Sequence, residues 1–356
     1  LGGDRRPLEK YGKRGHPAIP EFDPKRSLSM KFVLGVAAGF LIAAVLLSVS
    51  HGGAAEDEQT PIGSRWWPSE WGAADERGAA NRLTAARAQG AARLIQTGKI
   101  YALGRTYEYG MPLPGKRHFS LTIPGSPTGG PSGKNQGVYH DDLFSGEIGQ
   151  IGTQLDGLGH VGVRIGNDDY FYNGWRRSQF GTAYGLEKLG IENVGVFFTR
   201  GVLLDVAATR GVERLKVGDV ISVADLEKTS KAQGIEIREG DVVVIRTGHG
   251  QLWMKDNTAF SAGEPGIGLA AAQWLCDRKI VMVGSDTWAT EVVPPEDPER
   301  PFPVHQWLLV RYGIYNIENL DLEALARDKV YEFAFIYAPL KLKGATGSPG
   351  NPIAVR

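Results

Sequence analysis

Four runs rich in Val, Ile and Phe restrict what this chain can fold into: residues 195–207 (GVFFTRGVLLDVA), 240–248 (GDVVVIRTG), 279–286 (KIVMVGSD) and 331–340 (YEFAFIYAPL). Each is bounded by Gly, Asp or Pro and is apolar almost throughout rather than at alternate positions. That is the pattern of strands covered on both faces. Stretches of helical character lie between them at 222–233 and 267–278. A further one is expected over 81–98, where Leu83, Ala86, Ala91, Leu94 and Ile95 recur at roughly helical spacing. Strands alternating with helices predict an α/β architecture, with polar residues at the strand ends marking where a site would form. The Gly-, Pro- and Ser-dense stretch 111–137 is expected to form no regular element and to be mobile or to cover something. No repeat and no second domain boundary are visible.

Composition narrows the function classes. A chain of 356 residues with 42% hydrophobic side chains is a folded protein, not a disordered tail. Its 40 Lys+Arg balance 40 Asp+Glu without any basic block, so the electrostatic footprint of a nucleic-acid binder is missing. The single cysteine, Cys276, excludes an internal disulfide and a Cys-based zinc site, and beside Trp274 and Leu275 it reads as a buried helical thiol. Near the N-terminus, Met30 and Lys31 precede an apolar run from Phe32 to about Val49 and then small residues at 52–55. Residues 30–54 therefore read as a secretory signal peptide, with a run nearly long enough to serve as an uncleaved membrane anchor. Residues 1–29, Pro-punctuated and without an initiating Met, read as a non-native upstream extension. The expected working part is 55–356, periplasmic or secreted, touching a membrane only if the N-terminal segment is retained.

One segment stands apart chemically: Gln150-Ile151-Gly152-Thr153-Gln154-Leu155-Asp156-Gly157-Leu158-Gly159-His160. On an extended strand, residues two apart share a face, so Gln150, Gln154, Asp156 and His160 would point the same way, with Gly152 leaving room for a close approach. A half-exposed strand turning its polar face to water gives the same pattern.

These residues resemble the Putative cyclase family of metal-dependent hydrolases, which includes bacterial kynurenine formamidase. The family motif H-x-G-T-H-x-D-x-P-x-H is met by Q-I-G-T-Q-L-D-G-L-G-H over 150–160, and the resemblance extends to Phe302-Pro303-Val304-His305, Ile317-Glu318-Asn319-Leu320 and the closing PLKLKGATGSP of 339–349. It implies a single swivelling β/β/α-type domain with a mixed sheet and flanking helices, assembled as a homodimer or homotetramer. It also implies site residues. The first-metal ligands fall on Gln150, Gln154 and Asp156, the last able to bridge two cations. The second-metal His falls on His305, the shared carboxylate on Glu318, and the proton-transferring residue on His160. Two family His are Gln here and the motif Pro is Leu158. A Gln oxygen is a neutral, hard and weak donor, whereas imidazole suits zinc. The expectation is one divalent ion, Mn²⁺ favoured over Zn²⁺, on Asp156, Glu318, His305 and Gln154, with Gln150 as a ligand or hydrogen-bonding neighbour and a second ion possible.

The chemistry so implied is attack of metal-activated water on an amide, lactam or ester carbonyl of a small cyclic or aromatic substrate, with His160 moving the proton. Trp66, Trp67, Tyr172 and His249 are the candidate substrate contacts, and Asp142 is a reserve carboxylate. Rival readings are a small-molecule binding protein on the same scaffold with a weakened metal site, and a lyase or cyclase. Gly248-x-Gly250 lacks the third glycine of a dinucleotide loop, no P-loop occurs, and no G-x-S-x-G elbow makes Ser285 a nucleophile.

Overall fold

All four apolar runs become strands of one nine-stranded mixed sheet. In the computed structural model, which describes residues 59–356, these are β3 (Phe197–Asp205), β4 (Val242–Arg246), β5 (Met282–Ser285) and β7 (Glu332–Tyr337). Five shorter strands complete the sheet: β1 (Ile100–Ala102), β2 (Gln154–Asp156), β6 (Tyr315–Glu318), β8 (Gly347–Pro349) and β9 (Ile353–Val355). Their order is β8-β2-β6-β5-β4-β3-β7-β9-β1. The centre, β6-β5-β4-β3, is parallel, while β2 and β8 on one flank and β7, β9 and β1 on the other run antiparallel. Consecutive residues of the central strands, such as Val242, Val243 and Val244, are all fully buried, which is why those runs do not alternate.

Helices cover the sheet, among them α1 (Ala85–Ala92), α2 (Val223–Gln233) and α3 (Leu269–Asp277). Ser222 and Asp225 form a reciprocal capping box at the start of α2, and Gly234, at φ +67°, ends it. The helix expected over 81–98 is shorter: Leu83 is extended, Thr84 caps α1, and the preceding turn 78–82 is a separate 3₁₀ segment. Cys276 is buried on α3, as its neighbours suggested.

Two expectations are corrected. The stretch 111–137 is not without regular structure: Phe119–Thr122 pairs with Leu143–Gly146, and Gly129–Ser132 pairs with Gly137–Tyr139. A register irregularity between Gly129 and Ser132 accommodates the Gly-Pro content that argued against strands. The strand expected across 150–160 is only Gln154–Asp156, because Gly152 adopts φ +60° and breaks the extended run. A Cβ at Gly152 would lie 2.6 Å from the Tyr107 ring. The segments 1–29 and 30–54 lie outside the described residues, among which no helix is long and apolar enough to cross a membrane.

Candidate metal centre

The register between β2 and β6 builds the site. Gln154 stands opposite Glu318, and Asp156 opposite Asn316. Because side chains alternate across a sheet, Leu155 and Ile317 enter the core at full burial, while Gln154, Asp156, Asn316 and Glu318 share the other face, also buried. Asn316 Nδ2 donates to Asp156 Oδ2 (3.0 Å) and to Glu318 Oε1 (2.8 Å), holding the two carboxylates side by side. Gln154 Nε2 donates to Glu318 Oε2, and its own oxygen accepts from Asn319 Nδ2 at 3.3 Å. Gln150 is not on the strand but in the turn before it, yet its Nε2 returns to 3.4 Å from Asp156 Oδ1. The neighbouring strand makes room for it. A Cβ on Gly347, which pairs with Asp156, would sit 3.2 Å from that nitrogen and 2.7 Å from the Leu155 carbonyl.

His305 arrives from a different element. A single α-helical turn, α4 (Pro303–His305), runs directly into a π-helical turn, Gln306–Arg311. The Glu291 carboxylate accepts the backbone N–H of Val304 (3.1 Å) and of His305 (3.0 Å), and the His305 Nδ1–H donates to it as well. A carboxylate can only accept, so Nδ1 carries the proton and Nε2 faces Glu318 Oε1 (3.2 Å) and Asp156 Oδ2 (3.5 Å). The loop bearing Glu291 is fixed in turn by the fully buried Glu264, which accepts from Trp288 N–H (2.7 Å) and Ala289 N–H (2.9 Å). Asp156, His305 and Glu318 thus offer ligand atoms that all lie within 4.8 Å of one another.

Charge in this cluster is unevenly shared. Burial opposes ionisation of Asp156, but the attraction of His160 and the hydrogen bonds from His305 and Asn316 outweigh it and hold its pKa below the ordinary aspartate value. Glu318 goes the other way, pushed up to about 7 by burial and by the neighbouring Asp156 charge. Burial disfavours the His305 imidazolium as well, yet hydrogen bonds to Asp156, Glu291 and Glu318 raise its pKa well above that of free imidazole. In the metal-free protein, protons on His305 and Glu318 thus occupy the place of a cation's charge. The donor set fits one divalent ion: two carboxylate oxygens and an imidazole nitrogen whose far side is held by a third carboxylate. Asn316 Oδ1, buried against the same group, has no hydrogen-bond partner.

A cavity of about 300 Å³ opens onto the cluster, lined by Gln150, His160, His305 and Glu318 together with Trp288 and Phe302, whose ring lies edge-on to that of His305 at 5.7 Å between centres. His160 follows β2 in a turn closed by its N–H to the Gly157 carbonyl (3.0 Å), which brings Nε2 to 3.9 Å from Asp156 Oδ1. Burial holds its pKa below the ordinary histidine value. The four residues expected to contact substrate are placed elsewhere, because their polar tips and rings are spent on packing. Trp66 Nε1 donates to the Phe171 carbonyl (3.2 Å), and Trp67 packs on Tyr170 at 5.3 Å between ring centres. The Tyr172 hydroxyl donates to Asp75 (2.7 Å), and His249 Nε2–H donates to the Phe260 carbonyl (3.1 Å). Asp142 is exposed, and Ser285 is buried with its hydroxyl 2.5 Å from that of Thr287. Sequence reasoning missed Glu291, Asn316, Glu264 and Phe302 as site-building residues. Asn316 was two residues before Glu318 on a strand and so was legible by alternation, whereas nothing in the spacing of Glu291 pointed to His305.

This fold belongs to a known family. The chain is a member of the Putative cyclase family, whose model matches residues 82–292. Among solved structures it is similar to a novel cyclase, 36% identical with a TM-score of 0.72 over 81% of this chain and 96% of that one. Isatin hydrolase A from Ralstonia solanacearum shares the fold at 19% identity and a TM-score of 0.54, covering 72% of this chain and 92% of that one. In sequence the chain is 36% identical to the isatin hydrolase of Roseibium aggregatum over 149 residues, 38% of this chain. That match spans 53% of the curated relative's own length.

Proposed function

We infer that this protein is a metal-dependent hydrolase that opens the amide, lactam or ester bond of a small cyclic or aromatic substrate. One observation carries the reading: Asp156, His305 and Glu318 converge, and the last two line a cavity together with His160. A divalent ion bound there supplies positive charge that polarises a carbonyl and acidifies water. The oxygen-rich donors favour Mn²⁺ over Zn²⁺. Asp156 and Glu318 hold the ion with His305, while Glu291 keeps the His305 nitrogen lone pair turned inward. Trp288 and Phe302 receive the flat body of the substrate. His160, unprotonated near neutrality, takes a proton from the water that adds to the carbonyl carbon. It returns that proton to the departing nitrogen or oxygen, and a carboxylate is released. The likeness to isatin hydrolase puts isatin-like lactams first among substrates, ahead of cyclic imides, lactones and N-formyl anilines. Export through residues 30–54 belongs to the same reading.

Elemental analysis of purified protein after Mn²⁺ supplementation, combined with mass detection of acids released from that panel, tests it. One equivalent of bound ion and release of an acid are expected, with Asp156→Ala losing both. A protein that takes up no ion and opens no member of the panel refutes the reading and leaves the binding-protein alternative.

A further inference from the structure

The cavity has one cationic side chain that the hydrolytic scheme does not use. Arg117 lines it on the arm just ahead of the strand Phe119–Thr122, and it is the one Lys or Arg among the cavity's lining residues. It is half-buried, and it makes no hydrogen bond or ion pair with any described residue. The Glu318 carboxylate in the same cavity is already taken up by His305, Asn316 and Gln154. The Arg117 charge acts on Glu318 across the cavity, but no carboxylate of a described residue touches it, and a partly desolvated guanidinium without a contacting anion is costly and rare in a folded protein. Its position is nonetheless fixed by its neighbour. His118 N–H donates to Glu147 Oε2 at 2.7 Å, and the His118 ring bridges Glu147 Oε1 (3.3 Å) and Ser145 Oγ (3.0 Å). The arm thus clamps the residue beside Arg117 across its two-stranded ribbon and leaves the guanidinium facing the cavity unpaired. Guanidinium has the planar fork that matches a carboxylate, and the rings of Trp288 and Phe302, 6.3 Å apart between centres, line the same cavity.

We propose that Arg117 is the carboxylate-recognition residue of this cavity, and that its ligand is an aromatic acid whose ring lies against Trp288 and Phe302. The idea rests on the hydrolase reading to the extent that opening an aromatic lactam or ester creates such an acid in place. Arg117 then favours substrates whose scissile carbonyl lies beside an aryl ring and holds the charge that appears when the bond breaks.

Calorimetry on Mn²⁺-supplemented protein with benzoate and 2-aminobenzoate, against the neutral isostere benzamide, tests the proposal. Wild type should bind both acids more tightly than benzamide, with an affinity that falls as salt is added. Arg117→Gln should weaken both acids by about 10- to 100-fold, the range of a lost charge-assisted pair, while benzamide affinity and metal content stay as in wild type. Arg117→Lys should recover part of the loss. Equal affinity of wild type for benzoate and benzamide, or an unchanged benzoate affinity in Arg117→Gln, overturns the proposal. If wild type releases no acid from any amide or ester and yet loses benzoate through Arg117→Gln, the hydrolase reading fails and the carboxylate site stands.

Discussion

Replacing Glu291 with Gln removes one charge from behind His305 and keeps the side chain's length. The Val304 amide donates to Oε2 (3.1 Å) and the His305 amide to Oε1 (3.0 Å), so the single Gln oxygen keeps one of these two bonds and the start of α4 is loosened rather than lost. What disappears is the anionic acceptor on Nδ1, the contact that turns Nε2 toward Asp156 and Glu318. Loss of such an outer partner typically weakens metal binding by about 10- to 100-fold, roughly 1.4 to 2.7 kcal/mol. Glu291→Ala goes further. It orphans two buried amide donors and strips a partner from a buried ion pair, and because these losses share one network the total is about 3–5 kcal/mol of fold stability rather than their sum. The assay is the Mn²⁺ dissociation constant at pH 8, by competition with a chelating dye, alongside urea unfolding of the metal-free variants. Glu291→Gln should show weakened binding in a cooperatively folding protein, and Glu291→Ala a much lower unfolding midpoint. A Glu291→Gln dissociation constant within twofold of wild type would refute the account of how His305 is held.

Other substitutions probe the neighbouring groups. His160→Ala should lower kcat by about 10²- to 10⁴-fold with bound metal unchanged, and metal lost in step with activity would instead make His160 a ligand. Because burial depresses the His160 pKa, the acid limb of the wild-type kcat/KM profile should fall below pH 6.5, and a limb above that value contradicts the assigned base. In the metal-free protein, Glu318 titrates at about 7 when folded and at 4.5 when unfolded, so the folded state holds more protons between those values. Its contribution to stability must therefore decline as pH rises from about 4.5 to 7, so the unfolding free energy of wild type minus that of Glu318→Gln should fall across that window, and a rise reverses the assignment. The double variant Gln150→His, Gln154→His should raise metal stoichiometry from one to two equivalents. A single equivalent at saturating Zn²⁺ would show that these positions do not control the second ion.

Central strands were readable from sequence because both faces of β3, β4 and β5 meet core, so Val202, Val243 and Val283 sit in uninterrupted apolar runs. The three-residue strands that carry or border the site were not. Leu155 is the only apolar residue of β2, and the polar neighbours that make the strand useful also erase its signature. Family resemblance pointed to Asp156, His305 and Glu318, and their ligand atoms lie within 4.8 Å of one another. The supports were beyond reach. Glu291 meets His305 through a helix start created by Phe302 in a left-handed conformation at φ +51° and Pro303, a geometry written in three-dimensional packing rather than in any spacing. The aromatic candidates failed for a related reason: Trp66, Trp67 and Tyr172 are sequence-conspicuous, but a ring's partner is decided by which element folds over it.

The ladder between β2 and β6 also has a consequence for biosynthesis. Gln154 and Glu318 are bonded neighbours separated by 164 positions along the chain. A growing polypeptide therefore lacks this cluster until Glu318, close to its end, has been made and paired with Gln154 near its middle. On the metal-dependent reading, uptake of the ion would follow that pairing, and availability as well as affinity would select among divalent ions. The compartment in which that strand pairing is completed, rather than the one in which translation begins, would then decide which element such a site takes up.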